Sequence, residues 1–218
     1  MPFKLLACEI FRREIVSIVA ELPHHIDVEF LPKSLHAAGR NQIQNALAEH
    51  IQNVNENHYD ALLLAYGLCN GGITGLSTRK IPLVVPKAHD CITLFLGCRK
   101  KYQNYFLTHG GTYFLTTGWM EDNPDLNLTK NEVKLFMPHY HRIAFIETGI
   151  EPDDSFEKKA RKLAIERNWT FDKLVGDLTL LKQLVRGEWD ENFLVIEPGN
   201  FIQPAYNNEE IIVLGKTP

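Results

Sequence analysis

The sequence predicts an α/β fold of three layers, in which helices cover both faces of a mainly parallel sheet. Short apolar runs that are typical of buried strands alternate with longer segments of helical periodicity along most of the chain. Such alternation is typical of a parallel sheet with covering helices. With 218 residues, of which 44% are hydrophobic, the chain can bury a normal core as one large or two small domains.

The first half of the chain carries the clearer part of this pattern. Three of its strands are the runs FKLLA, ALLLA and IPLVV, which have the length and the apolar composition of buried strands. Segments of helical periodicity lie between several of these runs and predict the covering helices. The predicted strands lie near residues 3–8, 26–32, 60–66, 81–86 and 112–117, and the predicted helices lie near 10–21, 40–55 and 91–107.

The second half repeats the same order of elements. RIAFIETG, WTFDKLV and NFLVIEPG predict strands, and residues 155–168 and LTLLKQLVRGEW predict the helices between them. The matching order predicts two pseudo-repeated βαβαβ units, separated by the polar stretch MEDNPDLNLTKNE. We therefore expect a cysteine-bearing α/β unit at 1–119, a connection or active-site flap at 120–141, and a smaller α/β unit at 142–218 that packs on the first.

Charge and hydropathy argue against several classes of function. The formal net charge is -4 and the pI is near 6.1, whereas binding to nucleic acid or to an anionic membrane needs a concentrated basic surface. No run approaches the ~20 apolar residues of a membrane span. The first residues also lack the basic start and the apolar stretch of a secretory signal. We expect a cytoplasmic protein with a small-molecule substrate, and neither nucleic acid nor membrane as a partner.

Three of the four cysteines, Cys8, Cys69 and Cys91, follow predicted buried strands. The carboxyl ends of neighbouring parallel strands form one rim, so these thiols are expected to lie side by side where ligands bind. Cysteines in a reducing cytoplasm are more often free, metal-bound or catalytic than paired in disulfides. The pattern predicts a metal site on these three residues, and the alternative is three small buried core side chains. Cys98 falls about two helical turns after Cys91, away from the rim.

The segment YGLCNGG follows the second of these strands and is rich in glycine. Glycines let the backbone approach a ligand closely or adopt positive φ, and exposed amides there can bond thiolates, cluster sulfides or an anion. The alternative is a tight structural turn. The segment matches neither a P-loop nor a dinucleotide fingerprint. The cofactor-binding residues predicted here are Gly67, Asn70, Gly71 and Gly72.

Three acid, base or ligand candidates flank the cysteines. His89 stands two residues before Cys91, and zinc accepts such mixed nitrogen and sulfur ligands. Asp90 is predicted to orient that imidazole or to act as an acid or base, or else to cap the helix that begins near Cys91. Glu9 follows Cys8 and is either an acid beside the metal or a first-turn residue that complements a helix dipole.

Thr116 and Trp119 follow the strand near 112–117 and complete the set of site candidates. A hydroxyl and an indole at a strand end suit a small polar substrate or form a wall for a planar one. The alternative for Trp119 is core packing. No nucleophile elbow, zinc-protease helix motif, kinase set or calcium-binding loop is present in the sequence.

Six segments stand in order along nearly the whole chain, namely LLACEIFRRE, YGLCNGG with the following GL, PKAHDCITLFLG, GTYFLTTGW, GDLTLLKQLVRGEW and FLVIEPG. Together they resemble domain-of-unknown-function family 1638, whose activity is not established. Cys98 stands where the resemblance leads us to expect a small, serine-like residue. Members of the family tend to occur in bacteria and archaea that carry corrinoid-dependent methyltransferases. The resemblance therefore implies one-carbon metabolism, with a corrinoid protein or a methyltransferase as a partner.

These observations support three functions. The first is a protein that holds a four-iron iron–sulfur cluster on Cys8, Cys69 and Cys91, with one iron open to a small substrate. The second is a zinc–thiolate enzyme of the methyltransferase type, in which His89 joins the cysteines as a ligand. The third is a non-catalytic, metal-stabilised partner of a corrinoid protein or methyltransferase.

Overall fold

The structure is a computed structural model that describes residues 2–205 and 212–216, apart from the side chains of residues 37, 38, 70 and 216. The strands are β1 (Phe3–Cys8), β2 (Ile26–Leu31), β3 (Ala61–Ala65), β4 (Leu83–Pro86), β5 (Thr112–Leu115), β6 (Arg142–Glu147), β7 (Thr170–Val175), β8 (Phe193–Ile196), β9 (Asn200–Pro204) and β10 (Ile212–Lys216). The helices are α1 (Arg12–Val19), α2 (Leu35–Ala38), α3 (Arg40–Asn53), α4 (Cys91–Leu96), α5 (Arg99–Thr108), α6 (Thr117–Met120), α7 (Lys130–Phe136), α8 (Ser155–Arg167) and α9 (Thr179–Arg186).

The strands form two sheets and a ribbon. One sheet has the order β2-β1-β3-β4-β8, and its strands are parallel except for β8, which pairs with β4 in the antiparallel sense. The second sheet has the order β5-β6-β7 and is parallel throughout. Strands β9 and β10 form an antiparallel ribbon. The predicted α/β class with mainly parallel strands is confirmed.

The apolar runs of the first half form the centre of the five-stranded sheet. All five residues of β3 are buried, which requires cover on both faces of the strand. Helix α9 packs against β3 and β4. In the parallel pairing, Phe3 lies opposite both Ile26 and Ala61. The carboxyl ends of β1, β2 and β3 consequently meet at one edge of the sheet.

The strand pairing differs from the predicted internal repeat. The repeat requires β6, β7 and β8 to behave as one unit, but β8 pairs with β4 in the first sheet and β5 pairs with β6 in the second. The ribbon of β9 and β10 was not predicted. The division of the chain into units at 1–119, 120–141 and 142–218 stays a prediction.

The helix predicted near 91–107 is two helices. Gly97 has a φ of 68° and ends α4 in the left-handed conformation, and Cys98 then precedes the first turn of α5. Glycine ends helices in this way because it has no Cβ to clash at positive φ. The predicted flap contains the helix α7, whose first turn is closed by a capping box between Thr129 and Glu132.

Each sheet contributes to a hydrophobic core. The larger core lies around the five-stranded sheet and includes the stacked rings of Phe11 and Phe95, whose centroids are 4.5 Å apart. The smaller core lies between the three-stranded sheet and α8, around Ile143 and Leu163. Over the described ranges of the chain, the helices are too short or too polar to cross a membrane.

Candidate functional site

Two loops at the carboxyl edge of the five-stranded sheet bring Cys69 and Cys91 together. The loop after β3 pairs with the loop after β4, because Leu68 N donates to Ala88 O at 2.8 Å and Cys69 N donates to His89 O at 3.0 Å. The Sγ atoms of Cys69 and Cys91 lie 3.7 Å apart as a result. Cys69 itself has a φ of 45°, which is a strained value for a residue with a side chain.

Gly67 makes this pairing of loops possible. A Cβ atom at this position would lie 2.6 Å from both Cα and C of Asp90. That distance is shorter than any tolerable contact with backbone, so the two loops can approach only at a glycine. Gly67 thus acts through close packing of backbone, and it sets the distance between the two thiols.

Cys8 lies at the end of β1 and is fully buried. Its Sγ is 3.5 Å from Nε2 of His36, which belongs to the four-residue helix α2. Cys69 and Cys91 are buried as well, whereas Cys98 is exposed. The structure therefore places Cys8, Cys69 and Cys91 at the rim predicted from sequence and leaves Cys98 outside it.

Two of the thiols, those of Cys8 and Cys91, are held in their neutral form by their surroundings. Burial raises the pKa of Cys8 to about 12, and charge on Cys69 and Glu9 would raise it further. The pKa of Cys91 lies well above its ordinary value, chiefly because of its hydrogen bond with Cys69 and secondly because of burial. A buried thiolate needs a positive charge beside it, and a bound metal ion supplies one.

The hydroxyl of Tyr66 is buried at the same place and has no hydrogen-bond partner. Tyr66 follows β3 directly and is 1% exposed. Burial raises the pKa of this hydroxyl, and negative charge on Cys8, Cys91 or Cys69 would raise it further. A neutral thiol is a weak acceptor, whereas a thiolate accepts strongly. The hydroxyl has no acceptor among the described residues, although buried polar groups normally have one.

Asp90 caps α4 and also faces the cavity described below. Its Oδ1 accepts from Ile92 N at 2.9 Å and from Thr93 N at 3.3 Å, and its Oδ2 accepts from the hydroxyl of Tyr102 at 2.9 Å. Burial raises the pKa of Asp90, although these hydrogen bonds and the nearby His89 act in the opposite direction. Asp90 thus has the predicted capping role and is also placed to act on a ligand.

The histidine that contacts a candidate thiol is His36, not the predicted His89. The Nε2 atom of His89 lies 3.5 Å from Nε2 of Gln103, and its ring lies 6.0 Å from that of Tyr102. Burial lowers the pKa of both histidines, which favours neutral imidazole rings. Residues that follow the carboxyl ends of parallel strands meet at one rim, and this argument applies to His36 as well as to the cysteines. His36 follows the end of β2 by five residues. Because no cysteine follows β2, the search for cysteines at strand ends passed over this position.

A cavity of about 980 Å³ opens at this edge. Its volume is at the upper end of the range for small-molecule sites. Aromatic rings form much of its wall, and two arginines lie in it as well. The predicted site residues that line it are Cys69, Cys91, His89, Asp90, Thr116 and Trp119, and the walls are completed by His36, Arg40, Arg99, Tyr102, Phe106, Phe114 and Tyr140, among others.

Thr116 and Trp119 are positioned by a helix cap. Thr116 Oγ1 accepts from Trp119 N at 3.1 Å and begins α6. The indole Nε1 of Trp119 donates to the hydroxyl of Tyr113 at 3.1 Å, and the ring meets that of His36 edge-on at 5.9 Å between centroids. Trp119 is therefore a fixed wall of the cavity, packed against the core on its other side.

The remaining predicted residues have structural contacts. Glu9 Oε1 accepts from Lys33 N at 2.8 Å and so ties the turn after β1 to the loop after β2. Gly72 packs on α3, where a Cβ atom would lie 2.8 Å from Cγ2 of Ile43. Gly71 has a φ of 89° and lies beside the side chain of Arg40. The side chain of Asn70 lies outside the described part of the structure.

The candidate metal-ligand atoms form two separate pairs. Within residues 2–205 and 212–216, no group of three or more histidine, cysteine, aspartate or glutamate side chains is arranged to hold a metal ion as it stands. The pairs are Cys69 with Cys91, at 3.7 Å, and Cys8 with His36, at 3.5 Å. Two sulfurs bound to one tetrahedral ion are about 3.8 Å apart, given metal–sulfur bonds of about 2.3 Å. Each pair therefore has a spacing that two ligands of one ion would have.

Comparison with known protein families gives one match. The family described as protein of unknown function (DUF1638) matches residues 30–185. The chain belongs to this family. The matched range includes His36, Cys69, His89 and Cys91, whereas Cys8 precedes it. Neither the curated proteins nor the solved structures include a match to this member of the family.

Proposed function

We propose that this chain is a metal-dependent protein in which Cys8, Cys69 and Cys91 hold a metal centre beside the cavity, where a small substrate binds. The observation that carries the proposal is the pair of buried thiols, Cys69 and Cys91, at 3.7 Å from each other in the wall of that cavity. The raised pKa of Cys91 keeps its thiol protonated without a cation, and a metal ion is the usual means of ionising a buried thiol.

The residues fit a metal by their chemistry and by an unsatisfied group. Sulfur and imidazole nitrogen are the donors that zinc and iron–sulfur clusters use. The unsatisfied group is the buried hydroxyl of Tyr66, which has no partner and whose pKa would respond to negative charge on the three cysteines. A bound metal would supply a Lewis acid, or in a cluster an electron carrier as well.

The protein's own groups define what a substrate meets. Asp90 and Tyr102 share a hydrogen bond of 2.9 Å at the cavity wall, so a proton can be held between a carboxyl group and a phenol there. Arg40 and Arg99 bring positive charge to the same cavity. Trp119, Phe114 and the ring of Tyr102 supply flat apolar surface. These groups suit a small substrate with an anionic group and an apolar or planar part.

Two kinds of metal centre are compatible with these contacts. The iron–sulfur cluster is supported by three buried thiols, two of which line a large cavity, because a cluster with three cysteine ligands needs room for its fourth iron. A single zinc ion is supported by the distance of 3.7 Å, since ligands of one ion lie closer together than ligands of different irons in a cluster. The zinc site would serve thiol chemistry such as methyl transfer.

A non-catalytic role has a separate observation in its favour. Phe106 and Leu107 of α5 line the mouth of the cavity and are 52% and 82% exposed. Exposed apolar side chains at a cavity mouth suit contact with another protein. The corrinoid protein or methyltransferase implied by the family resemblance would be the partner in that case.

The test is a metal analysis of protein purified without oxygen. Bound iron, zinc and acid-labile sulfide are measured in the wild type and in Cys8→Ser, Cys69→Ser, Cys91→Ser and Cys98→Ser. We expect stoichiometric metal that is lost in the first three variants and kept in the fourth, because Cys98 is exposed and apart from the others. Sulfide together with iron identifies a cluster, and zinc without sulfide identifies a single ion. A wild-type protein without metal contradicts the proposal.

A further inference from the structure

His36 has no part in the pattern of cysteines, yet it is the histidine in contact with one of them. It lies on α2, in the connection between β2 and α3, and its Nε2 faces Sγ of Cys8 at 3.5 Å. It lines the same cavity as Cys69 and Cys91. The donor set at the carboxyl edge of the sheet thus consists of three sulfurs and one nitrogen.

We infer that His36 is the nitrogen ligand of a single tetrahedral ion that it shares with Cys8, Cys69 and Cys91. This inference rests on the proposed function and narrows it to one ion with one histidine. The class of cation is a divalent, thiolate-binding metal such as zinc, because three sulfurs and an imidazole form one of the usual zinc ligand sets.

Ligand spacing supports the assignment. With metal–sulfur bonds of about 2.3 Å and metal–nitrogen bonds of about 2.0–2.1 Å, tetrahedral angles place two sulfurs about 3.8 Å apart and a sulfur and a nitrogen about 3.6 Å apart. The structure holds the sulfur pair at 3.7 Å and the sulfur–nitrogen pair at 3.5 Å. An ion would have to draw the two pairs around one point, since they do not yet form a group of three.

The surroundings of His36 favour ligation over other roles. Its ring is fixed by an edge-on contact with Trp119, which is itself held by hydrogen bonds of its backbone and indole nitrogens. Cys8 is fully buried and absent from the cavity wall, which argues against a nucleophile activated by His36. His36 also lines the cavity, so an ion bound to it would lie next to the space where a substrate enters.

His89 provides a matched control. It lines the same cavity, and it stands two residues before Cys91, but its Nε2 lies near Gln103. A sequence-based assignment would choose His89 as the nitrogen ligand, and the structure favours His36. Exchange of each histidine for alanine therefore separates the two assignments.

The experiment measures zinc binding to metal-free protein by competition with a chromophoric chelator, for the wild type, His36→Ala and His89→Ala. We expect His36→Ala to weaken zinc binding by at least about tenfold, since loss even of an outer partner of a zinc ligand costs about 10–100-fold. His89→Ala is expected to keep the affinity of the wild type. X-ray absorption of the wild-type zinc protein gives a second readout that needs no variant, with three sulfur neighbours and one imidazole expected.

The outcomes separate this inference from the proposed function. Zinc bound by sulfur alone, equal affinity in His36→Ala and the wild type, or a loss specific to His89→Ala would overturn the role of His36 and leave the metal centre in place. An iron–sulfur cluster in the protein purified without oxygen would do the same. A wild-type protein that binds neither zinc nor iron would overturn both.

Discussion

The carboxyl edges of the two sheets differ in the chemistry that they hold. The five-stranded sheet ends in thiols, and β3 at its centre is buried at every position. The strands of the three-stranded sheet end at Leu115, Glu147 and Val175, and β7 at its edge is exposed or half-buried throughout. Lys173 of β7 bridges Glu147 and Glu157 at 2.8 Å each. A buried edge with thiols can hold a metal centre, whereas an edge in contact with water carries ion pairs that the solvent screens.

Several buried polar atoms of the described residues have no partner, and one of them at each edge is informative. At the carboxyl edge of the five-stranded sheet, here called the thiol edge because it holds Cys8, Cys69 and Cys91, this atom is the hydroxyl oxygen of Tyr66. Near the other edge it is Oε2 of Glu14, whose Oε1 accepts from the hydroxyl of Thr148 at 3.1 Å. Protonation of Glu14 removes the free-energy cost of burying a negative charge. The hydroxyl of Tyr66 is already neutral and still needs a hydrogen-bond acceptor. Protonation can therefore resolve the burial of Glu14, whereas the hydroxyl of Tyr66 has no acceptor among the described residues.

The largest expected effect comes from Gly67→Ala at the thiol edge. The new Cβ would meet backbone atoms of Asp90 at 2.6 Å, so the two loops must separate. We expect a loss of about 3 kcal/mol or more in the free energy of unfolding, as for severe overpacking, together with loss of bound metal. Urea denaturation measures the first effect and metal analysis the second.

Gly110→Ala is the control for this substitution, because its Cβ would meet nothing within 4 Å. Its stability should equal or slightly exceed that of the wild type, since alanine restricts the unfolded chain. Equal stability and equal metal content in Gly67→Ala and the wild type would show that the close approach of the loops is unimportant.

Glu14 is expected to make stability depend on pH. Burial raises its pKa from 4.5 to about 7, while the Thr148 hydroxyl and Arg13 lower it and Glu151 raises it. The folded protein holds this proton more tightly than the unfolded chain does, so stability falls as the pH rises from 4.5 to 7 and stays reduced above. Relative to Glu14→Gln, the wild type should lose on the order of 3 kcal/mol over this window.

Thermal unfolding of both proteins at several pH values between 4 and 8 checks this prediction, because the subtraction removes the titration of all other groups. Parallel stability curves for the wild type and Glu14→Gln would mean that the carboxyl group is ionised and solvated, and that the two edges of the molecule do not differ in the way described above.

Tyr66→Phe should have opposite effects in the two metal states. Without metal, removal of an unpartnered buried hydroxyl should stabilise the fold by about 1 kcal/mol. With metal, the variant lacks a polar hydroxyl whose energy depends on the charge of the cysteines, so its metal affinity should fall below that of the wild type. Unfolding with and without a chelator measures both changes.

Tyr59→Phe is the natural comparison, since the hydroxyl of Tyr59 donates to Asp27 Oδ2 at 2.5 Å. It should lose stability to the same extent in either metal state. If Tyr66→Phe is destabilised without metal, its hydroxyl has a partner in solution and the argument for a missing acceptor fails.

The smallest effect on stability is expected for Lys173→Ala in β7 of the three-stranded sheet. Its hydrogen bonds with Glu147 and Glu157 raise the pKa of Lys173, but the pairs are exposed to solvent and are screened by salt. We expect a slight loss of stability that disappears at high salt, and no change in metal content. A large loss that persists in salt would show that the two edges are more alike than their burial indicates.

The sequence was sufficient to predict the strands of the first sheet and the burial of three cysteines, because apolar runs and their ends are local features. It missed the pairing of β5 with β6 and of β8 with β4, since strand partners are chosen by packing between distant segments. The break at Gly97 had a local signal, a glycine after a helical run, that was not used. His36 lay at a strand end but carried no thiol, and only the folded chain places it beside Cys8.

A crystal structure of the protein purified without oxygen, with an anomalous difference map at the zinc and iron absorption edges, tests the central claim most directly. We predict anomalous density within about 2.3 Å of the sulfur atoms of Cys8, Cys69 and Cys91, the usual metal–sulfur bond length. A map without density at these sulfurs, or with a disulfide between Cys69 and Cys91 in its place, would contradict the account.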